Sequence, residues 1–129
     1  LVGSEMCIRD SNQTIYVDND NVLAGREAAS YLIGTHDFTS FCGNKKMKKT
    51  AVRTIYEINF TKKGNDLWID YRGNGFLQNM VRILTGTLIE VGDGRRAPEE
   101  LPQILESKNR ENAGYTAPAC GLMLMEVHY

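Results

Sequence analysis

The hydrophobic pattern of residues 75–90 predicts one amphipathic helix as the central element of the chain. Its apolar residues recur at the i, i+3, i+4 and i+7 spacing of one helical face, namely Leu77, Met80, Val81, Leu84, Leu88 and Val91. We expect this face to pack on a sheet. The polar side carries Gln78, Asn79, Arg82, Gly86 and Glu90. Because glycine weakens a helix by roughly 1 kcal/mol relative to alanine, Gly86 indicates close approach of another backbone or a ligand.

A β-hairpin is predicted just before this helix. Residues 52–61 alternate between apolar and polar, as in a half-buried strand, with Val52, Thr54, Tyr56, Ile58 and Phe60 on one face. Residues 62–65 have the composition of a tight turn. The returning strand places Leu67, Ile69 and Tyr71 on one face and Trp68, Asp70 and Arg72 on the other.

The remaining segments complete one α/β domain of residues 13–129. We predict a short strand or an extended lead-in at residues 14–17, a helix over 22–33 ended by Gly34, a polar loop over 35–41, a short helix after Pro98, and a last strand over 122–129. This order predicts an α+β fold of the ferredoxin-like, split βαβ plan, with an antiparallel sheet and helices on one face. Residues 1–12 show no pattern and are expected to be an artefactual or disordered lead-in.

Composition restricts the classes of function. The formal net charge is −1, so any affinity for nucleic acid has to come from a local patch. Three scattered cysteines, Cys7, Cys42 and Cys120, fit no metal or disulfide pattern and favour a reducing, cytoplasmic setting. No apolar run reaches the roughly 20 residues of a membrane span. The one basic run is formed by Lys45, Lys46, Lys48 and Lys49.

Several motifs together resemble the tRNA pseudouridine synthase A family. Residues 74–86 are similar to its F-L-x-x-M-V-R-x-x-x-G signature, and residues 28–41 to A-A-x-x-L-x-G-x-H-D-F-x-S-F. Residues 51–55, 104–110 and 113–122 resemble further segments of the family in the same order. The resemblance runs from Val22 to Tyr129.

The resemblance implies an isomerase that converts uridine to pseudouridine in the anticodon arm of tRNA, as a cytoplasmic homodimer without cofactor or metal. An aspartate carries the chemistry, and the arginine of the M-V-R segment, here Arg82, pairs with it. The RNA-binding residues expected are Lys45, Lys46, Lys48, Lys49, Arg53, Gln78 and Asn79. Lysine would contact phosphate there without reading sequence.

The family's aspartate motif, G-R-T-D-x-G-V-H, has no counterpart in these residues. Asp93 lies in Gly92–Arg95, at a predicted helix end, and does not match it. We therefore expect this chain to correspond to the C-terminal half of the enzyme, to need the N-terminal half as its partner, and to be inactive alone.

Other interpretations stay open at this point. Arg82 can be a solvated helix arginine, Gly86 a packing contact, and the lysine run a solvated loop. The domain as a whole can be a stand-alone RNA-binding module of similar fold without catalysis, or a ferredoxin-like regulatory or assembly domain.

Overall fold

The computed structural model describes residues 2–9, 19–43, 50–63, 66–117 and 122–127. Within these ranges it contains five strands and three α-helices: β1 (Val2–Arg9), α1 (Asn19–Ser30), β2 (Gly34–Asp37), β3 (Val52–Lys63), β4 (Asp66–Gly73), α2 (Met80–Gly92), α3 (Glu100–Ser107) and β5 (Leu122–Val127). The strands form one sheet in the order β2-β3-β4-β1-β5, and each neighbouring pair is antiparallel. The predicted α+β class, the β3–β4 hairpin and the final strand are confirmed. The predicted strand at 14–17 lies outside the described residues.

The core lies between the sheet and α2. Ile55, Ile69 and Tyr71 are buried on the sheet, and α2 buries Met80, Ile83 and Leu84 together with most of its other side chains. The Tyr71 hydroxyl and the Thr85 hydroxyl are hydrogen-bonded at 2.7 Å, so each polar group has a partner inside the core. Burial raises the pKa of the Tyr71 phenol, although the bond to Thr85 acts in the opposite direction. Helix α1 packs against α2 and β3.

A β-bulge changes the phase of β3 and corrects the predicted alternation. Ile55 pairs with Gly73 and Glu57 pairs with Arg72, so Tyr56 is one extra residue in β3. Val52 and Tyr56 are consequently 41% and 55% exposed, whereas Ile55 is 1% exposed. The predicted alternation holds only after the bulge, because one inserted residue moves the preceding side chains to the opposite face.

Helix α2 begins at Met80, later than the predicted start at Gly75. Asn79 has a left-handed backbone (φ 60°), which the helix cannot continue through. The residues ahead of it are held by other contacts: the Leu77 carbonyl accepts the Met80 N–H at 3.0 Å, and the Gln78 carbonyl accepts the Gly43 N–H at 2.9 Å. Gln78 and Asn79 therefore precede the helix.

Residues 35–37, predicted as part of a loop, form the edge strand β2 (Gly34–Asp37) together with Gly34, which was predicted to end a helix. The strand pairs with β3 from Gly34↔Ile55 to Asp37↔Val52, and Gly34 has the positive φ (104°) that favours glycine. Phe38 and Phe41, which follow in a short 3-10 helix region, are buried in the core. The periodicity of four residues is too short a signal to identify such a strand from sequence.

Residues 2–9, left out of the predicted fold, form an interior strand. Strand β1 pairs with β4 from Val2↔Gly73 to Arg9↔Asp66 and with β5 from Val2↔Val127 to Met6↔Leu122. In the structure these residues are thus part of the sheet, a place that the hydrophobic pattern does not indicate. Backbone hydrogen bonding on both edges accommodates a segment that lacks an obvious hydrophobic pattern.

We predict that Met6→Pro destabilises the protein by at least about 2 kcal/mol, because proline removes a ladder N–H from an interior strand. The control is Met6→Ala, which changes the side chain and keeps the N–H. Thermal and urea unfolding of both variants measure the difference. Equal stability of the two variants would show that residues 2–9 do not contribute a strand in solution.

Candidate functional site around Arg82

Arg82, in the first turn of α2, is held on two sides by hydrogen bonds. Its Nε–H donates to the Ala117 carbonyl at 2.7 Å, and its Nη1 donates to Asn79 Oδ1 at 3.2 Å. Among the described residues, Nη2 has no hydrogen-bond acceptor and no carboxylate forms an ion pair with Arg82. Arg82 is thus a partly buried, oriented guanidinium whose Nη2 is bound by none of the described residues, and not a freely solvated helix arginine.

Gly86, one turn further on, is the point where a second backbone touches α2. A Cβ atom built on Gly86 would lie 1.8 Å from the Tyr115 carbonyl oxygen and 2.8 Å from the Tyr115 carbonyl carbon. The close approach predicted from sequence is confirmed, and its partner is the chain itself. Glycine is needed here because any side chain would occupy the space of the Tyr115 peptide.

Residues 113–117 lie against this face of α2; we call them the 113–117 segment. The Ala117 N–H donates to the Arg82 carbonyl at 3.0 Å, which together with the Arg82 Nε–H bond joins the two residues at two points. The Gly114 N–H donates to Thr87 Oγ1 at 2.9 Å. The segment is thereby fixed along about one and a half turns of α2.

Arg110 binds the same segment through its guanidinium. Its Nη1 donates to the Gly114 carbonyl at 2.8 Å, and its Nη2 donates to Thr116 Oγ1 at 3.1 Å. Sequence reasoning gave Arg110 no role beyond its place in a family-like motif. The sequence gives no pattern from which its contacts could be predicted. Its partners follow four and six residues later, in a stretch without helix or strand periodicity.

The predicted RNA-binding residues Gln78 and Asn79 lie directly before α2, beside Gly43. The Gly43 N–H bonds the Gln78 carbonyl, and a Cβ on Gly43 would lie 2.9 Å from Asn79 Nδ2. Both Gln78 and Asn79 are exposed. Asn79 also accepts the hydrogen bond from Arg82, so part of its side chain already serves to orient the guanidinium.

Arg53 lies next to the segment that leads into α2. Its Nε is 3.6 Å from the position of a Cβ on Gly75, and its Nη1 donates to the carbonyls of Thr50 and Val52 at 2.7 and 2.8 Å. Lys45, Lys46, Lys48 and Lys49 lie outside the described residues. The described residues on either side of them, Gly43 and Thr50, contact Gln78–Asn79 and Arg53 respectively.

The carboxylates of Asp93 and Asp37 bind residues other than Arg82. Asp93 binds Arg95 at 2.7 Å. Asp37 accepts hydrogen bonds from the Thr39 hydroxyl and N–H, and the hydroxyl bond is the main cause that lowers the pKa of the Asp37 carboxyl.

Among the described residues, no group of three His, Cys, Asp or Glu side chains is arranged to hold a metal ion. In the same part of the chain, none of the helices combines the length and apolarity that crossing a membrane requires.

We predict that Gly86→Ala destabilises the protein by at least about 2 kcal/mol, because the new methyl group displaces the Tyr115 peptide. An uncontacted helix glycine would show the opposite sign, since alanine favours the helix by roughly 1 kcal/mol. Gly25→Ala in α1 is the control, because its Cβ meets only the edge of the Phe60 ring at 3.0 Å. Chemical denaturation measures both; a stabilised Gly86→Ala variant contradicts the close contact.

Comparison with known proteins agrees with the motifs. A family model described as tRNA pseudouridine synthase matches residues 28–129. The tRNA pseudouridine synthase A of Brevibacillus brevis is 54% identical over 109 residues, which cover 84% of this chain and 45% of the relative. Those of Bacillus subtilis and Anoxybacillus flavithermus are 52% and 55% identical, again over 84% of this chain and 44% of each relative. The chain thus spans less than half the length of these relatives. It belongs to the tRNA pseudouridine synthase family.

Proposed function

We propose that this chain is one part of a tRNA pseudouridine synthase A that isomerises uridine in the anticodon stem-loop of tRNA, and that Arg82 binds the catalytic aspartate. The observation that carries the proposal is the guanidinium of Arg82, held by Ala117 and Asn79 with Nη2 unoccupied by any described residue. Because the chain covers 45% of the Brevibacillus relative, we propose that the aspartate comes from the remainder of the enzyme.

The role of Arg82 in this reaction is to fix a carboxylate. The target base is extruded from its stack, its N-glycosidic bond is broken, and the base is reattached through carbon. An aspartate that participates must stay ionised and keep one orientation. A guanidinium does both, since its positive charge lowers the pKa of a nearby carboxyl and its planar fork restricts the geometry of the pair.

The surface around the start of α2 is proposed to bind the tRNA backbone. Arg53, Gln78 and Asn79 lie along the residues that lead into α2, and Gly43 and Thr50 flank the lysine run. Lys45, Lys46, Lys48 and Lys49 would supply the phosphate contacts of this patch. The patch is compatible with a net charge of −1, because binding depends on the local density of positive charge.

The order of the elements supports the ferredoxin-like plan as the finer description of the fold. Without the edge strand β2, the sheet reads β3-β4-β1-β5, with α1 between β1 and β3 in sequence and α2 and α3 between β4 and β5. The proposal also includes a homodimeric, cytoplasmic enzyme without metal or organic cofactor. These features rest on the family resemblance.

The proposed role of Arg82 is tested by Arg82→Lys in an active enzyme, made by joining the upstream part of the Bacillus subtilis relative to the matched region of this chain. Lysine keeps the charge and loses the fork. Loss of a partly buried bidentate pair is worth on the order of 2–4 kcal/mol, so we expect a single-turnover rate roughly 30- to 1000-fold lower. Stability should fall by only about 1 kcal/mol, for the lost bond to Ala117.

The control is Arg72→Lys, because Arg72 is an exposed arginine paired with Glu57 at 3.2 Å. It should leave the rate unchanged.

This chain alone, incubated with unmodified tRNA, should form no pseudouridine. Near-normal turnover by Arg82→Lys contradicts the pairing with the aspartate. An inactive joined enzyme that still binds tRNA would instead favour a stand-alone RNA-binding module.

The lysine run is tested by the salt dependence of tRNA binding to the joined enzyme. Neutralising four lysines should reduce the slope of log K against log salt by up to about 3 to 4, with little change in sequence preference. Lys62→Ala with Lys63→Ala, at the end of β3, is the control. If the quadruple alanine variant keeps the parental slope, the run is only a solvated loop.

A further inference from the structure

We infer that Arg110 is a positioning residue for Arg82, acting through the 113–117 segment. Arg110 binds the Gly114 carbonyl and the Thr116 hydroxyl, and the next residue, Ala117, binds Arg82. Arg110 would thereby set the direction in which Nη2 of Arg82 points. The consequence for catalysis rests on the proposed function, whereas the positioning itself does not.

The 113–117 segment depends on side-chain contacts for its place. It belongs to no helix or strand, so no ladder of backbone bonds of its own defines its path. On the α2 side it is held by Thr87 and by the two bonds between Arg82 and Ala117. Arg110 binds it at two further points, through two different nitrogens at 2.8 and 3.1 Å.

The spacing of these contacts links Arg110 to Arg82. The Thr116 hydroxyl that accepts from Arg110 and the Ala117 carbonyl that accepts from Arg82 Nε–H belong to adjacent residues. A shift of Thr116 therefore moves the Ala117 peptide. Because Gly86 leaves no clearance for the Tyr115 carbonyl, the segment can move away from α2 and not toward it, which lengthens the 2.7 Å bond to Arg82.

Arginine suits this role better than lysine. Two N–H groups on separate nitrogens of a rigid plane reach a carbonyl and a hydroxyl at once, and the plane fixes their relative position. A lysine ammonium offers its donors from a single nitrogen on a flexible stem. We therefore expect Arg110→Lys to retain the charge and to lose part of the positioning.

The positioning is tested by NMR on this chain, with the Arg82 Nε–H as the reporter. In the parent protein we expect a scalar coupling across the hydrogen bond from Arg82 Nε to the Ala117 carbonyl carbon. Arg110→Gln should abolish the coupling and accelerate exchange of this proton at least about tenfold. Thr116→Val, which removes only the hydroxyl, should act in the same direction, and Thr116→Ser should restore the parental signal. An unchanged Arg82 signal in Arg110→Gln and Thr116→Val overturns the inference.

The kinetic test uses the joined enzyme and a double-mutant cycle. Small displacements of a catalytic group are costly, so Arg110→Gln should lower kcat roughly 10- to 100-fold with little change in KM for tRNA. In the Arg82→Lys background the same change should lower kcat no further. A merely structural role predicts equal losses in both backgrounds, and that result overturns the inference. If the joined parent enzyme forms no pseudouridine, the proposed function fails, while the NMR experiment still decides whether Arg110 positions Arg82.

Discussion

The contact between the backbone at Tyr115 and helix α2 at Gly86 is the constraint on which the rest of the site depends. The two main chains come so close that a single methyl group on Gly86 would lie 1.8 Å from the Tyr115 oxygen. This close approach of the two main chains allows Ala117 to donate to the Arg82 carbonyl and to accept from the Arg82 Nε–H. The loss of roughly 1 kcal/mol in helix stability that Gly86 causes is thus offset by a packed and hydrogen-bonded interface.

Helix α2 can hold Arg82 in a fixed position because its other faces are packed in the core. Met80, Ile83 and Leu84 are fully buried, and Thr85 binds the Tyr71 hydroxyl of the sheet at 2.7 Å. A helix held in this way hardly rotates, so the position of Arg82 is set to within the tolerance of close packing. The left-handed Asn79 starts the helix and binds the same guanidinium, which places a strained residue at the proposed site.

The opposite end of α2 is linked through Arg96 to Asn112, the residue that comes directly before the 113–117 segment. Arg96 donates to Glu90 on the last turn of the helix and to the Asn112 carbonyl at 2.9 Å. The chain therefore leaves α2, passes through α3 and returns to α2. Hydrogen bonds from Arg96 and Arg110 hold the returning part in place. This arrangement explains why residues far apart in sequence, such as 79–82 and 110–117, share one site.

The sequence by itself determined the features that have a local or periodic signal. The apolar spacing of α2 and the β3–β4 hairpin follow from neighbouring residues, and the glycine at position 86 indicated a close approach without identifying its partner. The family motifs indicated Arg82 as a candidate site residue, and the comparisons confirmed the family. Only the tertiary structure decided the bulge at Tyr56, the start of α2 at Met80, the insertion of residues 2–9 as an interior strand, and the partners of Arg82. These depend on pairing and contacts between distant segments, and such contacts leave no period in the sequence.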